Sequence, residues 1–586
     1  MKPLLRLLPY LRAHQRMLLL GLVTVVGSNL FTVVQPIFLG EAVDAFREGV
    51  AAGTAVSGDL LRWAVLIVAF SLVAGIFTFF TRQTIIVTSR HIEYDLRRDL
   101  LAHLQRLSHS YFQNTPTGDL MAHATNDIGA VRNVVGPGIM YPSDSLMTFV
   151  MVLTLMFLRD WELTLLALIP LPLVSYLVYR LSALVHKKFN ERQEQFSLLT
   201  TRAQENLSGI RVVKSYVREE HETRRFHDLS WEYLKKNLVL ARVQSILWPL
   251  MFILVGVSMV ITVYVGGLKV IDGEITIGSL TAFIAYLVML IWPMIAFGWV
   301  MSLLQQGAAS MKRLAAIFDA QPDIHDTGST DHGIVSLAGR IEFRGVGFRH
   351  KGSDQIALKN IDLVVEPGMT LAIIGATGSG KSTLVNLIPR LFDVTDGQFL
   401  IDRRDIRTIP LAVLRRHCGM VPQETFLFSE SIAENIRYGV TDASDEAFRR
   451  ATEVSQIAED VSEFPRGFET MVGERGITLS GGQKQRTSIA RALLTNPRIL
   501  ILDDALSAVD TGTEERILRG LREFMKGRTS ILISHRISTV KDADLIIVLE
   551  EGAIVERGSH ESLLALNGRY ANLYRRQLLE QELVEL

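Results

Sequence analysis

Residues 17–39 carry no charged side chain over 23 consecutive positions. Wound as an α-helix at about 1.5 Å per residue, the run is roughly 35 Å long and crosses a bilayer core of about 30 Å. Five further apolar runs follow at 61–88, 133–158, 163–185, 244–266 and 275–306, so six spans in three pairs are expected. Lys2, Arg6, Arg12 and Arg16 precede the first run, as in a secretory leader. The run is too long for a leader core, and Gln35-Pro36-Ile37-Phe38 is no small-residue cleavage site, so it is read as a retained helix. A mean hydropathy of +0.25 then averages a membrane half with a soluble half. The 48% apolar content excludes a disordered chain. One cysteine, Cys418, excludes an intramolecular disulfide and a cysteine-cluster metal site; it reads as an ordinary buried thiol.

Spans two and three, and spans four and five, are separated by long charged stretches, 89–132 and 186–243. Neither has turn-rich composition, and both read as helices running on out of the membrane. The other connections, 40–60, 159–162 and 267–274, are short. Of the 29 Lys and Arg in residues 1–320, only Arg47, Arg159 and Lys269 lie in those three. The positive-inside rule therefore puts the long stretches and both termini in the cytoplasm. Arg62 sits at the outer edge of span two, and Arg82 and Arg180 fall near the inner boundary. Asp144 is different, lying about 21 Å from the outer end of its span and inside the apolar core. An intramembrane carboxylate faces a partner or a wet cavity, so Asp144 is a candidate for the substrate cavity, with a structural pair as the alternative. Met289, Trp292, Met294, Phe297, Trp299 and Met301 of the last span suit either packing or contact with apolar cargo.

Texture changes after residue 318. Residues 319–339, rich in Gly, Asp, Thr and Ser, read as a linker. Short apolar strands such as 370–374, 499–502 and 530–533 then alternate with helical segments, as in an α/β domain with a largely parallel sheet. The expected organisation is a membrane domain at 1–318, a soluble domain at 340–580 and a tail at 581–586. The balance of 61 basic against 61 acidic residues argues against a nucleic-acid partner bound through bulk charge. It also conceals opposed halves, 29 basic and 23 acidic up to residue 320 against 32 and 38 beyond it.

Residues 375–382 read GATGSGKS, between an apolar strand and a helical segment. In this G-x-x-x-x-G-K-[ST] loop, Gly375, Thr377, Gly378, Ser379 and Gly380 let backbone N–H groups wrap a polyphosphate. Lys381 reaches the β and γ phosphates, and Ser382, followed by Thr383, supplies a hydroxyl to Mg²⁺. Downstream, Arg498-Ile-Leu-Ile-Leu-Asp503-Asp504 places two carboxylates at a strand end. Asp503 can hold Mg²⁺ through water, and Asp504 stands next to the attacking water.

Leu479-Ser480-Gly481-Gly482-Gln483, then KQRTSIARAL, then Ser507-Ala-Val-Asp510 and an ISHR string with His535, resemble the nucleotide-binding domain of an ATP-binding-cassette (ABC) transporter. The six expected spans with two cytoplasmic extensions resemble the exporter half of that family, so the resemblance covers nearly the whole chain. It implies ATP and Mg²⁺ as cofactors, the inner (plasma) membrane as location, export of a small amphipathic substrate, and pairing with a second half-transporter. Gln423 resembles the glutamine that touches Mg²⁺, and His535 the histidine that contacts the γ-phosphate. Residues 472–476 resemble a loop that meets the membrane helices. Leu479, Ser480, Gly481, Gly482 and Gln483 would bind the ATP held by the partner, with Ser507 and Asp510 in the adjoining loop. Residues 111–127 and 205–222 resemble the two cytoplasmic coupling segments.

Two positions depart from the family pattern. Active members mostly have Glu where Asp504 stands; one methylene fewer retracts the carboxylate by roughly 1.5 Å, and about 1 Å can cost a hundredfold in rate. With an intact signature this resembles the degenerate-base subunit of heterodimeric exporters, the alternatives being a homodimeric lipid or peptide exporter and a nucleotide-gated channel or regulatory subunit. His350 stands where the family usually has a tyrosine that stacks on adenine; imidazole can stack with less area, or Phe348 can cover the base.

Overall fold

The computed structural model describes residues 2–53, 57–440 and 442–585. They form two compact units. One holds the residues up to Leu104 together with Gly118–Asp319; the other holds Gln105–Thr117 and the residues from Ala320 onward.

The first unit is helical. Among the described residues, four helices are long and apolar enough to cross a membrane: Gln15–Ala52, Gly58–Arg106, Thr117–Arg159 and Ile277–Asp319. A shorter apolar helix runs over Val255–Ile271, at the end of a helix of 53 residues, Glu219–Ile271. The 39-residue helix Pro170–Ser208 pairs with it through much of its length. Both charged stretches of the sequence are thus largely helical continuations of apolar segments.

Apolar helices in lipid gain little from burying more apolar surface, so close approach and polar seams hold them together. Helix Gln15–Val33 and the first residue of the next, Gln35, meet helix Ser57–Thr81 through such a seam. Thr81 donates to the Thr24 hydroxyl at 3.0 Å, Ser28 and Thr78 share a bond of 2.7 Å, and Ser71 donates to the Gln35 side chain at 3.2 Å. Helices Gln35–Ala52 and Ile277–Met289 approach until backbones touch. The Gly278 N–H donates to Asp44 Oδ1 at 2.7 Å, and a Cβ on Gly278 would stand 2.0 Å from the Gly40 carbonyl oxygen. Further in, the buried Tyr286 hydroxyl donates to the Val33 carbonyl at 3.1 Å. Gly278→Ala is therefore expected to destabilise this unit by about 1–3 kcal/mol, since a backbone oxygen cannot swing aside. A thermal unfolding midpoint equal to wild type would refute that.

Among the described residues, ten strands build the second unit: β1 Ile341–Arg349, β2 Ile356–Val365, β3 Thr370–Gly375, β4 Asp396–Ile401, β5 Arg404–Asp405, β6 Cys418–Val421, β7 Ile499–Asp503, β8 Thr529–Ile533, β9 Leu545–Glu550 and β10 Ala553–Gly558. An antiparallel sheet has the order β2-β1-β4-β5, and a six-stranded sheet the order β10-β9-β3-β8-β7-β6. In the latter all pairs from β9 to β6 are parallel, and only β10 runs antiparallel to β9. Strands β7 and β8 are buried along their whole length, which explains their continuous apolar sequence. The sequence marks the parallel strands but not the antiparallel sheet.

Residues 105–117, placed with the membrane domain by sequence, pack in this second unit. Ser108 Oγ accepts from the Ile324 N–H at 2.8 Å and Ser110 Oγ donates to Asp323 at 2.9 Å. The His109 ring meets Phe392 edge to face at 5.5 Å. The last helix, Arg569–Glu585, extends through 581–585.

Candidate functional site

Four neighbouring parallel strands each deliver one element at the carboxyl end, where ligands bind in open α/β sheets. The glycine-rich loop follows β3, Gln423 follows β6, Asp503 and Asp504 close β7, and His535 follows β8. The β-ladders pair Asp503 with Ile533 and Ile533 with Ile373, so these ends are level. Between them lies a cleft of about 970 Å³. Its lining includes His350, Thr377, Gly378, Ser379, Gly380, Lys381, Ser382, Thr383, Gln423, Asp503, Asp504 and His535.

The loop geometry suits an anion. Gly378 and Gly380 have φ of +83° and +101°, in the region that favours glycine. A Cβ on Gly375 would stand 2.3 Å from the Leu549 carbonyl oxygen and 2.6 Å from Ser379 Oγ. Lys381 lies back on its own loop, donating to the Gly375 and Ala376 carbonyls at 2.9 Å each. Burial lowers its pKa, while Asp503 and Asp504 pull it back up. Ser379 Oγ is buried without a hydrogen-bond partner among the described residues. A lysine folded onto carbonyls beside an orphaned hydroxyl is the donor set that a polyphosphate satisfies.

Asp503 is 3% exposed and lines the cleft with Ser382. Burial is the main force raising its pKa, and Asp504 adds to it, against Ser382, Lys381 and His535. Such a carboxylate beside a hydroxyl is a setting for a divalent cation. Asp504 has φ of +49°, a left-handed backbone in a non-glycine residue. Its N–H donates to the Ile533 carbonyl at 2.9 Å, and its carbonyl accepts from Ser507 Oγ at 3.0 Å. The His350 ring meets Phe348 and Phe392 edge to face at 4.8 and 5.4 Å. Phe348 is buried, so of these two rings it is His350 that borders the cleft.

Leu479, Ser480, Gly481, Gly482, Gln483, Ser507 and Asp510 do not line this cleft. They form a second, ordered element. Ser480 caps helix Gly481–Leu494 in a reciprocal capping box with Gln483. Gly482 lies against the Ala508 carbonyl, 3.0 Å from where a Cβ would stand. Asp510 caps helix Thr511–Met525.

The profile described as "ABC transporter transmembrane region" matches residues 18–294, and that described as "ABC transporter" matches residues 358–507. A Bacillus subtilis protein named "Probable multidrug resistance ABC transporter ATP-binding/permease protein YheI" is 38% identical over 571 residues, 97% of each chain. The chain belongs to the ABC transporter family. The Escherichia coli "Multidrug resistance-like ATP-binding protein MdlA" is 36% identical to this ABC transporter, over 98% of this chain and 96% of the other. The "ATP-dependent lipid A-core flippase" of Syntrophus aciditrophicus is 36% identical, over 90% and 88%. A solved bacterial Atm1-family ABC exporter with ATP bound has a TM-score of 0.82 and 27% identity, covering 96% of this chain and 99% of that one. The transporter therefore has the exporter-type ABC fold, and its ATPase domain couples nucleotide hydrolysis to transport.

Two positioning residues of this ABC transporter escape sequence reasoning. Gln485 donates to Ser507 Oγ and accepts from the Ala508 N–H, both at 2.9 Å, stitching the signature helix to the loop after Asp504. Gln577, in the last helix, donates to the His535 carbonyl and accepts from the Ile537 N–H at 2.9 Å. One amide thus grips both sides of the histidine turn. Gln577→Ala is expected to lower kcat for ATP hydrolysis by about tenfold with little change in KM, since His535 loses its placement and not its chemistry. An unchanged kcat would show the grip to be dispensable.

Proposed function

We propose that this chain is one half of a dimeric exporter that moves amphipathic, drug-like compounds out of the cytoplasm or inner leaflet. It crosses the inner (plasma) membrane six times with its termini and ATPase domain in the cytoplasm. The favoured assembly is a heterodimer. This chain's own site, with Lys381, Asp503 and Asp504, is slow, and its Leu479–Gln483 segment completes the partner's site. The observation that carries this reading is the short carboxylate of Asp504 beside a well-capped, intact signature helix. The names of the multidrug-resistance relatives support the cargo class.

Ser382, Asp503 and Gln423 would hold Mg²⁺, which when bound neutralises charge on the phosphates. The chain's residues do the rest. The glycine loop and Lys381 bind and orient the polyphosphate, Asp504 accepts a proton from water, and His535 contacts the terminal phosphate. His350 offers its ring to the base.

The relatives named as lipid A-core flippases favour a second reading, a homodimeric lipid exporter. The two separate on purification of this chain alone and co-expressed with a second half-transporter that carries Glu at the position matching Asp504. A heterodimer gives low ATP hydrolysis alone, high hydrolysis in the mixed complex, and loss of it when the partner's carboxylate is neutralised. A stable dimer of this chain alone that hydrolyses ATP and transports at full rate establishes the homodimer. Transport against a gradient in proteoliposomes excludes a nucleotide-gated channel.

A further inference from the structure

Asp144 lies in helix Pro137–Arg159, among the apolar residues of an expected span. Three features of its surroundings bear on what it does. First, it is held without a counter-ion among the described residues. Asn29 of helix Gln15–Val33, only 4% exposed, donates from Nδ2 to Asp144 Oδ1 at 2.8 Å and also to the Val25 carbonyl at 3.0 Å. Thr148, one turn along, donates to Asn29 Oδ1 and to the Asp144 carbonyl. The carboxamide is thus locked with its N–H₂ toward the carboxylate. No Lys, Arg or His pairs with Asp144 among the described residues, and its second oxygen, Oδ2, has no partner among them. Leaving a carboxylate in an apolar slab without a counter-ion is costly, so such a group meets a cation or water.

Second, an aromatic pair lies within one helical turn of Asp144. Tyr141 and Asp144, three residues apart, share one face of the helix. The Tyr141 ring meets Trp299 of helix Ile291–Asp319 edge to face at 5.0 Å. Trp299 is 45% exposed, so much of its surface is open to a second contact. Third, Pro142 sits inside the helix and has no N–H to give to the Gly138 carbonyl, which leaves another acceptor on this stretch.

An oriented carboxylate with one bare oxygen, beside a tyrosine–tryptophan pair, is the donor set for an organic cation: charge to charge on one side and the ring quadrupole on the other. We propose that Asp144, Tyr141 and Trp299 form a binding site for the positive centre of an amphipathic monovalent cation, with Asn29 and Thr148 as positioning residues. The inference rests on the exporter reading and narrows it. A cargo whose polar end is a phosphate would meet repulsion at Asp144, so the site favours cationic compounds over anionic lipids.

The test is equilibrium dialysis of the full chain in lipid nanodiscs without nucleotide, corrected for empty nanodiscs. The probes are tetraphenylphosphonium and its isosteric anion, tetraphenylborate. Wild type is expected to bind the phosphonium saturably and in preference to the borate. Asp144→Asn keeps the bond to Asn29 within reach and removes the charge; it should weaken phosphonium binding about tenfold or more, while Asp144→Glu keeps most of it. Trp299→Leu, with the carboxylate intact, should weaken it about fivefold. The proposal is overturned if wild type binds both ions equally or neither, or if Asp144→Asn binds the phosphonium like wild type. Should Asp144→Asn fail to fold, Trp299→Leu decides in the same way. ATP-driven uptake of an uncharged dye by inside-out vesicles of the wild type tests the exporter reading separately; its absence would sink that reading without touching the binding result.

Discussion

Replacing Asp504 with glutamate is expected to raise ATP hydrolysis at this chain's own site by about a hundredfold. The sheet already holds the position: the Asp504 N–H is tied to Ile533 on β8, its carbonyl is tied to Ser507, and Asp503 beside it is held in the ladder opposite Ile533. What aspartate lacks is reach, and one methylene returns it. The left-handed backbone at this residue, φ +49°, suits aspartate better than longer side chains, so Asp504→Glu should cost up to about 1 kcal/mol of stability. The assay is steady-state hydrolysis by the assembled transporter with the partner's own base removed, so that only this site is read. A rise below about threefold would mean that reach at residue 504 is not what limits the site.

Lys381→Ala should have the opposite effect, lowering nucleotide affinity and hydrolysis at this site by about a hundredfold or more. Two charge-assisted hydrogen bonds to a polyphosphate contribute on the order of 1.5–3 kcal/mol each. Without nucleotide the same side chain only spans two carbonyls of its loop, Gly375 and Ala376, so the thermal midpoint of the nucleotide-free protein should hardly move. Protection by added nucleotide should disappear. Nucleotide-induced stabilisation equal to wild type would show that the loop's backbone N–H groups suffice.

These two sites were legible in the chain because they are local. Eight consecutive residues, 375–382, encode the loop, and a strand followed by two acids encodes Asp503 and Asp504. The parallel strands were legible for a similar reason, since burial on both faces forces an unbroken apolar run such as Ile499–Asp503. The antiparallel sheet was not. Phe343 on β1 stacks on Phe399 of β4 at 4.3 Å across a gap of more than fifty residues, and no local spacing announces such a pairing. Gln577 was hidden in the same way. It lies 42 residues from the His535 carbonyl it grips, in a helix whose sequence reads as an ordinary amphipathic end. Asp144 was visible as a charge in an apolar run, whereas its orientation by Asn29, 115 residues away, was not.

The packing of residues 105–117 has a practical consequence for anyone who would express the ATPase unit by itself. That unit is discontinuous along the gene. A recombinant fragment beginning at Ala320 would lack His109 and Ser110, stripping one ring contact from Phe392, which is 7% exposed in the whole chain, and one bond from Asp323. The bared aromatic packs against His350, at 5.4 Å, and it is His350 that lines the nucleotide cleft. Base affinity measured on such a fragment would describe a His350 whose backing ring has lost a contact, and adding back a synthetic peptide of residues 105–117 is the way to restore it.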